Sequence, residues 1–194
     1  MNQKTESRRD VLKQLVSLTA LGALGVLRAG QLSAGDATDK LYSTVIPGVK
    51  GKIISRKDSN YELWRQAMVW HHSKPKRYPE LIVQAQSEED VINAVKHAAE
   101  KNLKVSVRAG GHNSTGTSVR EGGMVIDVSA LDEIEIDQDK QVATIQPGVR
   151  SLHLVTAARE KGLSFPVPHC PSVGLSGFTM GGGIGWNYPQ LGGR

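Results

Sequence analysis

The chain has 194 residues, 39% hydrophobic, 22% charged and 5% aromatic, with 21 glycines and 8 prolines. That balance excludes collagen-like, coiled-coil and disordered polymers and fits an ordinary globular domain, while the single cysteine, Cys170, excludes a disulfide framework and a cysteine-rich zinc module. The formal charge is +5, but residues 1–34 carry +3 of it, so only +2 falls on the remaining 160 residues and no nucleic-acid partner is expected.

The N-terminus reads as an address. Arg8-Arg9 precedes an apolar run from Leu15 to Leu27, long enough for a signal core and short of the roughly 20 residues a membrane span needs. Paired arginines before a mildly hydrophobic, Gly- and Ala-containing stretch, with Arg28 after it, resemble a twin-arginine export signal cleaved near Ala34 or Ala37. The expected partner is therefore the twin-arginine export machinery, the expected location periplasmic or secreted, and no stable membrane anchor is expected. That route carries folded proteins, often already loaded with a cofactor.

Residues 35–72 read as a linker followed by a short helical lead-in. The stretch from 35 to 60 is rich in Gly, Ser, Asp and Lys without a period, and Tyr61 to Trp70 places Leu63, Trp64, Ala67, Met68 and Trp70 at helical spacing. Trp64 and Trp70 are expected in the core. The compact domain, 73–194, begins at the basic, proline-bounded segment Lys74–Pro79.

Alternating strands and helices follow. Leu81-Ile82-Val83 is a short apolar strand. Ser87 offers an N-cap with Glu88, Glu89 and Asp90 in the first turn, Val91, Val95, Ala98 and Ala99 follow at helical spacing, and Asn102 suits a left-handed end. Lys104–Arg108 alternates as a strand with Val105 and Val107 on one face, and Met124–Val128 is another. Glu133–Asp137 and Gln141–Gln146 form a hairpin around Gln138–Lys140. Ser151 caps a helix carrying Leu152, Val155 and Ala158, which ends at Lys161-Gly162. The expected class is α+β, with small helices on mixed sheets. A glycine cluster at 181–185 runs through Trp186 and Pro189 to Gly192-Gly193-Arg194, and the sequence reads as cut short.

Two glycine-rich stretches carry the chemistry. Arg108-Ala109-Gly110-Gly111-His112-Asn113-Ser114 directly follows a strand, where glycines let successive N–H groups point into one concavity suited to a pyrophosphate. The second runs from Cys170-Pro171-Ser172-Val173-Gly174 through Gly177 to Gly181, Gly182, Gly183 and Gly185. Its glycine density suggests backbone lying flat against a large planar ligand. It is not the dinucleotide fingerprint, because the expected helix does not follow and Pro189 breaks the region. His71-His72 and His169-Cys170 lack the spacing of metal ligands, so no metal is expected.

R-A-G-G-H-N-S and C-P-S-V-G-L-S-G-F-T-M-G-G-G-I-G, in this order and about sixty residues apart, resemble the FAD-binding PCMH-type domain of the vanillyl-alcohol-oxidase superfamily, and within it the berberine-bridge-enzyme branch. The resemblance implies two small α/β subdomains holding FAD, with Arg108, Ala109, Gly110, Gly111, His112, Asn113, Ser114, Cys170, Val173, Gly174, Gly177, Gly181, Gly182, Gly183 and Gly185 as cofactor-binding positions. It implies covalent attachment through His112 and also through Cys170. It places Val173 at the face where oxygen reacts, where a small residue goes with oxidases. The chain departs from the family at Pro168 and Phe178, where glycine and histidine are usual. The implied activity is hydride transfer from an alcohol, sugar or related small-molecule substrate to covalent FAD, with oxygen as acceptor. The substrate domain and its catalytic base fall beyond residue 194. A flavin-binding module without turnover, and a dehydrogenase using another acceptor, are the alternatives.

Overall fold

The computed structural model describes residues 44–185. The export signal at 1–34, the proposed cleavage positions Ala34 and Ala37, and the closing segment from Trp186 to Arg194 lie outside the described residues.

Among the described residues six strands and four helices follow one another: β1 (Lys52–Ser55), α1 (Tyr61–Ala67), β2 (Leu81–Gln84), α2 (Glu88–Glu100), β3 (Val105–Arg108), β4 (Met124–Asp127), β5 (Ile134–Asp137), β6 (Val142–Ile145), α3 (Ser151–Glu160) and α4 (Leu175–Met180). The first four strands form one sheet in the order β1-β2-β4-β3. β1 runs antiparallel to β2, while β2, β4 and β3 are mutually parallel, with Val83 opposite Ile126 and Val107 opposite Ile126 on the other side. β5 and β6 form a separate antiparallel hairpin, with Ile134 opposite Ile145. The class is α+β. Among the described residues no helix is long and apolar enough to cross a membrane.

The inner strands read as unbroken apolar runs because both faces of the sheet are covered. Alternate residues divide between two cores. Ile53, Leu81, Val83, Met124 and Ile126 meet Ala94 and Ala98 of α2 on one face. Ile54, Ile82 and Val125 meet Tyr61, Met68 and Val69 of the lead-in on the other. A third cluster joins the hairpin to α3 and α4 through Val149, Leu154 and Leu175.

Several expectations need correction. Within the stretch read as a linker, Lys52–Ser55 is a strand of the main sheet: Ile53 and Ile54 are both buried, one on each face, so no alternation marks it. α2 begins where expected, with the Ser87 side chain accepting from Asp90 N–H, and Asn102 is left-handed at φ 52°. Its buried face, however, is Asp90, Ala94 and Ala98, while Val95 is exposed. Alanine brings the helix close to the sheet. Asp90, wholly buried, accepts from the backbone N–H groups of Lys50, Gly51 and Gln86 at 2.8, 3.0 and 2.9 Å.

On α3 the buried residues are Ser151, Leu154 and Ala158 rather than Leu152 and Val155, which face outward. Ser151 is the first helical residue and not the cap; Arg150 holds the cap position, and the Ser151 hydroxyl donates instead to the Val173 carbonyl. The hairpin and the left-handed Gly162 stand where expected.

Candidate functional site

The two glycine-rich stretches meet. One leaves the end of β3, an edge strand of the sheet among the described residues, and the other arrives between α3 and α4. They touch backbone to backbone: a Cβ built on Gly110 would lie 2.4 Å from Gly174 N, and one on Gly174 would lie 2.7 Å from Gly110 N. Carbon atoms do not approach that closely, so only a residue with no side chain fits at either position. Gly111 adds a second requirement. Its φ is +69°, and a Cβ there would strike the Met68 carbonyl oxygen at 2.6 Å.

Beside this junction opens a cavity of about 630 Å³. It is lined by Arg108 through Asn113 on one side and by Val173, Gly174 and Gly177 on the other, with Val107 and Phe178 among the apolar contributors. Val107 is 59% exposed because β3 has a neighbour on one side only and its outer end gives onto this opening. The volume falls within the roughly 300–1,000 Å³ of small-molecule sites. Five successive backbone N–H groups, Gly110 to Ser114, have no acceptor among the described residues. Successive unpaired N–H donors are what anion-binding concavities are built from.

The remaining glycines of the second stretch also answer local packing and backbone needs. Residues 175–180 are helix α4 rather than loop. A Cβ on Gly183 would enter the Phe178 ring at 2.2 Å, one on Gly185 would meet Pro166 at 2.9 Å, and Gly182 is left-handed at φ +71°. These positions, with Gly181, do not line the cavity. Gly177 does, and nothing lies within 4 Å of where its side chain would project.

His112, on the cavity lining, meets two polar side chains, Ser172 and Cys170, that are not part of that lining. His112 Nε2 lies 2.9 Å from Ser172 Oγ, and Cys170 Sγ lies 3.2 Å from the same oxygen. Residues sixty apart in the chain thus share one hydroxyl. Burial, with the nearby Arg108 and Arg150 guanidinium charges, holds the His112 imidazole below its ordinary value, so it is neutral at pH 7. The Ser172 side chain holds the Cys170 thiol below its ordinary value.

Two residues outside the expected set complete the site. Trp70 stacks on the His112 ring with centroids 4.7 Å apart and an interplanar angle of 18°, while its backbone N–H donates to the Gly111 carbonyl at 2.9 Å. The expectation that Trp70 belongs to the core is therefore wrong: it is 59% exposed and serves as a platform. Only its adjacency to His71-His72 marked it in the sequence. Asp127, 1% exposed, pairs with Arg108 at 3.0 Å and so fixes the root of the first stretch. Ser114 is exposed and stands off the cavity wall. Among the described residues no cluster of three or more His, Cys, Asp or Glu side chains suits a metal ion.

Residues 79–193 match the family model described as an FAD-binding domain. The chain is 35% identical over 135 residues to the FAD-linked oxidoreductase YgaK of Bacillus subtilis, covering 70% of this chain and 29% of that protein. The crystal structure of 6-hydroxy-D-nicotine oxidase from Arthrobacter nicotinovorans superposes with a TM-score of 0.70 at 33% identity, covering 78% of this chain and 33% of that one. A berberine-bridge-enzyme-like protein of Physcomitrella patens superposes at 0.68 with 25% identity, covering 74% and 31%. The chain spans about a third of the length of these relatives.

Proposed function

The chain belongs to the FAD-binding domain family, and from that premise we propose that it is the flavin-holding part of an exported oxidoreductase whose FAD is bound covalently through His112 and Cys170. The residues present fit the cofactor. The cavity has the volume of a small-molecule site, Gly110 to Asn113 on its lining carry four successive N–H donors with no acceptor among the described residues, and Gly177 leaves its wall open where a side chain would intrude.

The single observation that carries the covalent reading is the convergence of His112, which lines the cavity, and Cys170 on one hydroxyl. A neutral imidazole and a thiol of lowered pKa are the two side chains on this surface with nucleophilic lone pairs near neutral pH. The N–H groups of Gly110 to Asn113 would receive the pyrophosphate oxygens, as unpaired amides do in anion sites. Trp70 and Ser172 orient the imidazole, and Asp127 keeps Arg108 from swinging into the opening. Val173 would present a small side chain from the cavity wall to a bound ring. Bound FAD would supply a hydride acceptor for a substrate alcohol, sugar or related C–H group, with dioxygen as the electron acceptor. Arg8-Arg9 and the following apolar run support export by the twin-arginine route to the periplasm or beyond.

The test is acid precipitation of the full chain purified from a flavin-sufficient host. The pellet should be yellow, and the peptides containing His112 and Cys170 should be recovered cross-linked through a single flavin mass. A colourless pellet from folded protein overturns the covalent reading.

A further inference from the structure

Ser172 lies between the two nucleophiles and touches both. Its Oγ is 2.9 Å from His112 Nε2 and 3.2 Å from Cys170 Sγ. A serine hydroxyl has one proton to donate and two lone pairs to accept with, so besides the arrangement in which it accepts from both neighbours there are two in which it donates to one of them. In the first, Oγ–H donates to an unprotonated Nε2 and the thiol S–H donates to Oγ. In the second, Nε2–H donates to Oγ and Oγ–H donates to a thiolate. They differ by two short proton movements, Sγ to Oγ and Oγ to Nε2, with no electron gained or lost.

We propose that Cys170, Ser172 and His112 form a proton relay, in which the Ser172 hydroxyl passes the Cys170 proton to His112 and leaves the sulfur as the reactive thiolate. Ser172 is a positioning residue in this scheme and His112 the base. The layout is that of an activated nucleophile: the nucleophile within reach of its base, and the base oriented by a further group. Trp70 supplies that orientation by stacking on the ring, which fixes the direction of Nε2.

The charged groups facing the imidazole are Arg108, from the end of β3, and Arg150, ahead of α3. Both oppose a resting imidazolium, as burial does, so the relay lends the proton briefly and returns it. His112 keeps its lone pair at neutral pH for the same reason. The use assigned to the relay, readying Cys170 for the flavin, rests on the reading above. The proton transfer itself does not.

The chain's single cysteine makes the test unambiguous, because every alkylated thiol is Cys170. Flavin-free full-length protein is treated with iodoacetamide between pH 5 and 9, and the rate is followed by intact mass. Ser172→Ala and His112→Ala should each slow alkylation at pH 7 by about tenfold, the factor that one pKa unit of lost thiolate brings. Ser172→Thr, which keeps the hydroxyl, should stay within about twofold of the parent. The parent's rate should also fall below the His112 titration, a limb absent from both alanine variants. Circular dichroism shows whether each variant is folded. Folded Ser172→Ala or His112→Ala protein reacting at the parent rate overturns the relay, and so does a Ser172→Thr variant as slow as Ser172→Ala. Because no flavin is present, these results stand apart from the colour of the acid pellet.

Discussion

Replacing Gly110 by alanine tests whether the two glycine-rich stretches are held together by backbone contact. The added methyl would sit 2.4 Å from Gly174 N and 2.9 Å from its Cα, against the roughly 3.5–4.0 Å of ordinary non-bonded carbon contact. Both obstructing atoms are backbone, so no rotamer change relieves them and the stretches must part by about 1 Å. Overpacking of this kind costs about 1–3 kcal/mol, and a backbone obstacle belongs in the upper half of that range. For a chain of this size about 2–3 kcal/mol lowers Tm by about 4–12 °C. Thermal unfolding followed by circular dichroism reads the shift. Gly174→Ala should behave alike, and the double variant should fall short of the summed losses, since the first methyl already separates the pair. Gly177→Ala is the control of opposite sign. Nothing lies within 4 Å of its new methyl, and removing a glycine from a helix stabilises by up to about 1 kcal/mol. A Gly110→Ala protein melting within about 1 °C of the parent would refute the reasoning.

Two further outcomes are expected. Burial alone would raise the Asp90 carboxyl, but backbone N–H groups of Lys50, Gln86 and Gly51, with the Ser87 side chain, outweigh it and hold the group below its ordinary value. The stability this supplies is present above the unfolded pKa near 4 and is lost as pH falls through the lower folded value. Asp90→Asn should therefore lose about 1–3 kcal/mol near neutrality and show a flatter acid limb in urea melts, whereas coincident acid limbs would count against the assignment. Trp70 stacks on a His112 ring held below its ordinary pKa, and a protonated imidazole accepts an electron from an excited indole. Fluorescence should therefore drop as pH falls below about 6.5, and Trp70→Leu should abolish the step; a step that persists in that variant would place the quencher elsewhere.

The sequence by itself determined the local elements. The Ser87 cap with three acids behind it, left-handed Asn102 and the polar turn between two β-branched runs each state a backbone preference that nothing distant overrides. The two motifs that mark the family were likewise legible, because a glycine pair beside His112 and a glycine series after Cys170 are unusual residue choices wherever they occur. Which helix face is buried was not legible. Val95 offers more apolar surface than Ala94 or Ala98 and stays exposed, while the sheet takes the alanines because a small side chain permits close approach. β1 escaped notice because a strand buried on both faces has no alternation to display. Only tertiary structure decided the site's inner arrangement. Trp70 lies before the family-matched segment, Ser172 looks like any loop serine, and Gly110 and Gly174 each read as room for a ligand until folding sets them against one another. Contacts between residues sixty positions apart depend on where β3 ends and α3 begins in space, and no local pattern of side chains encodes that.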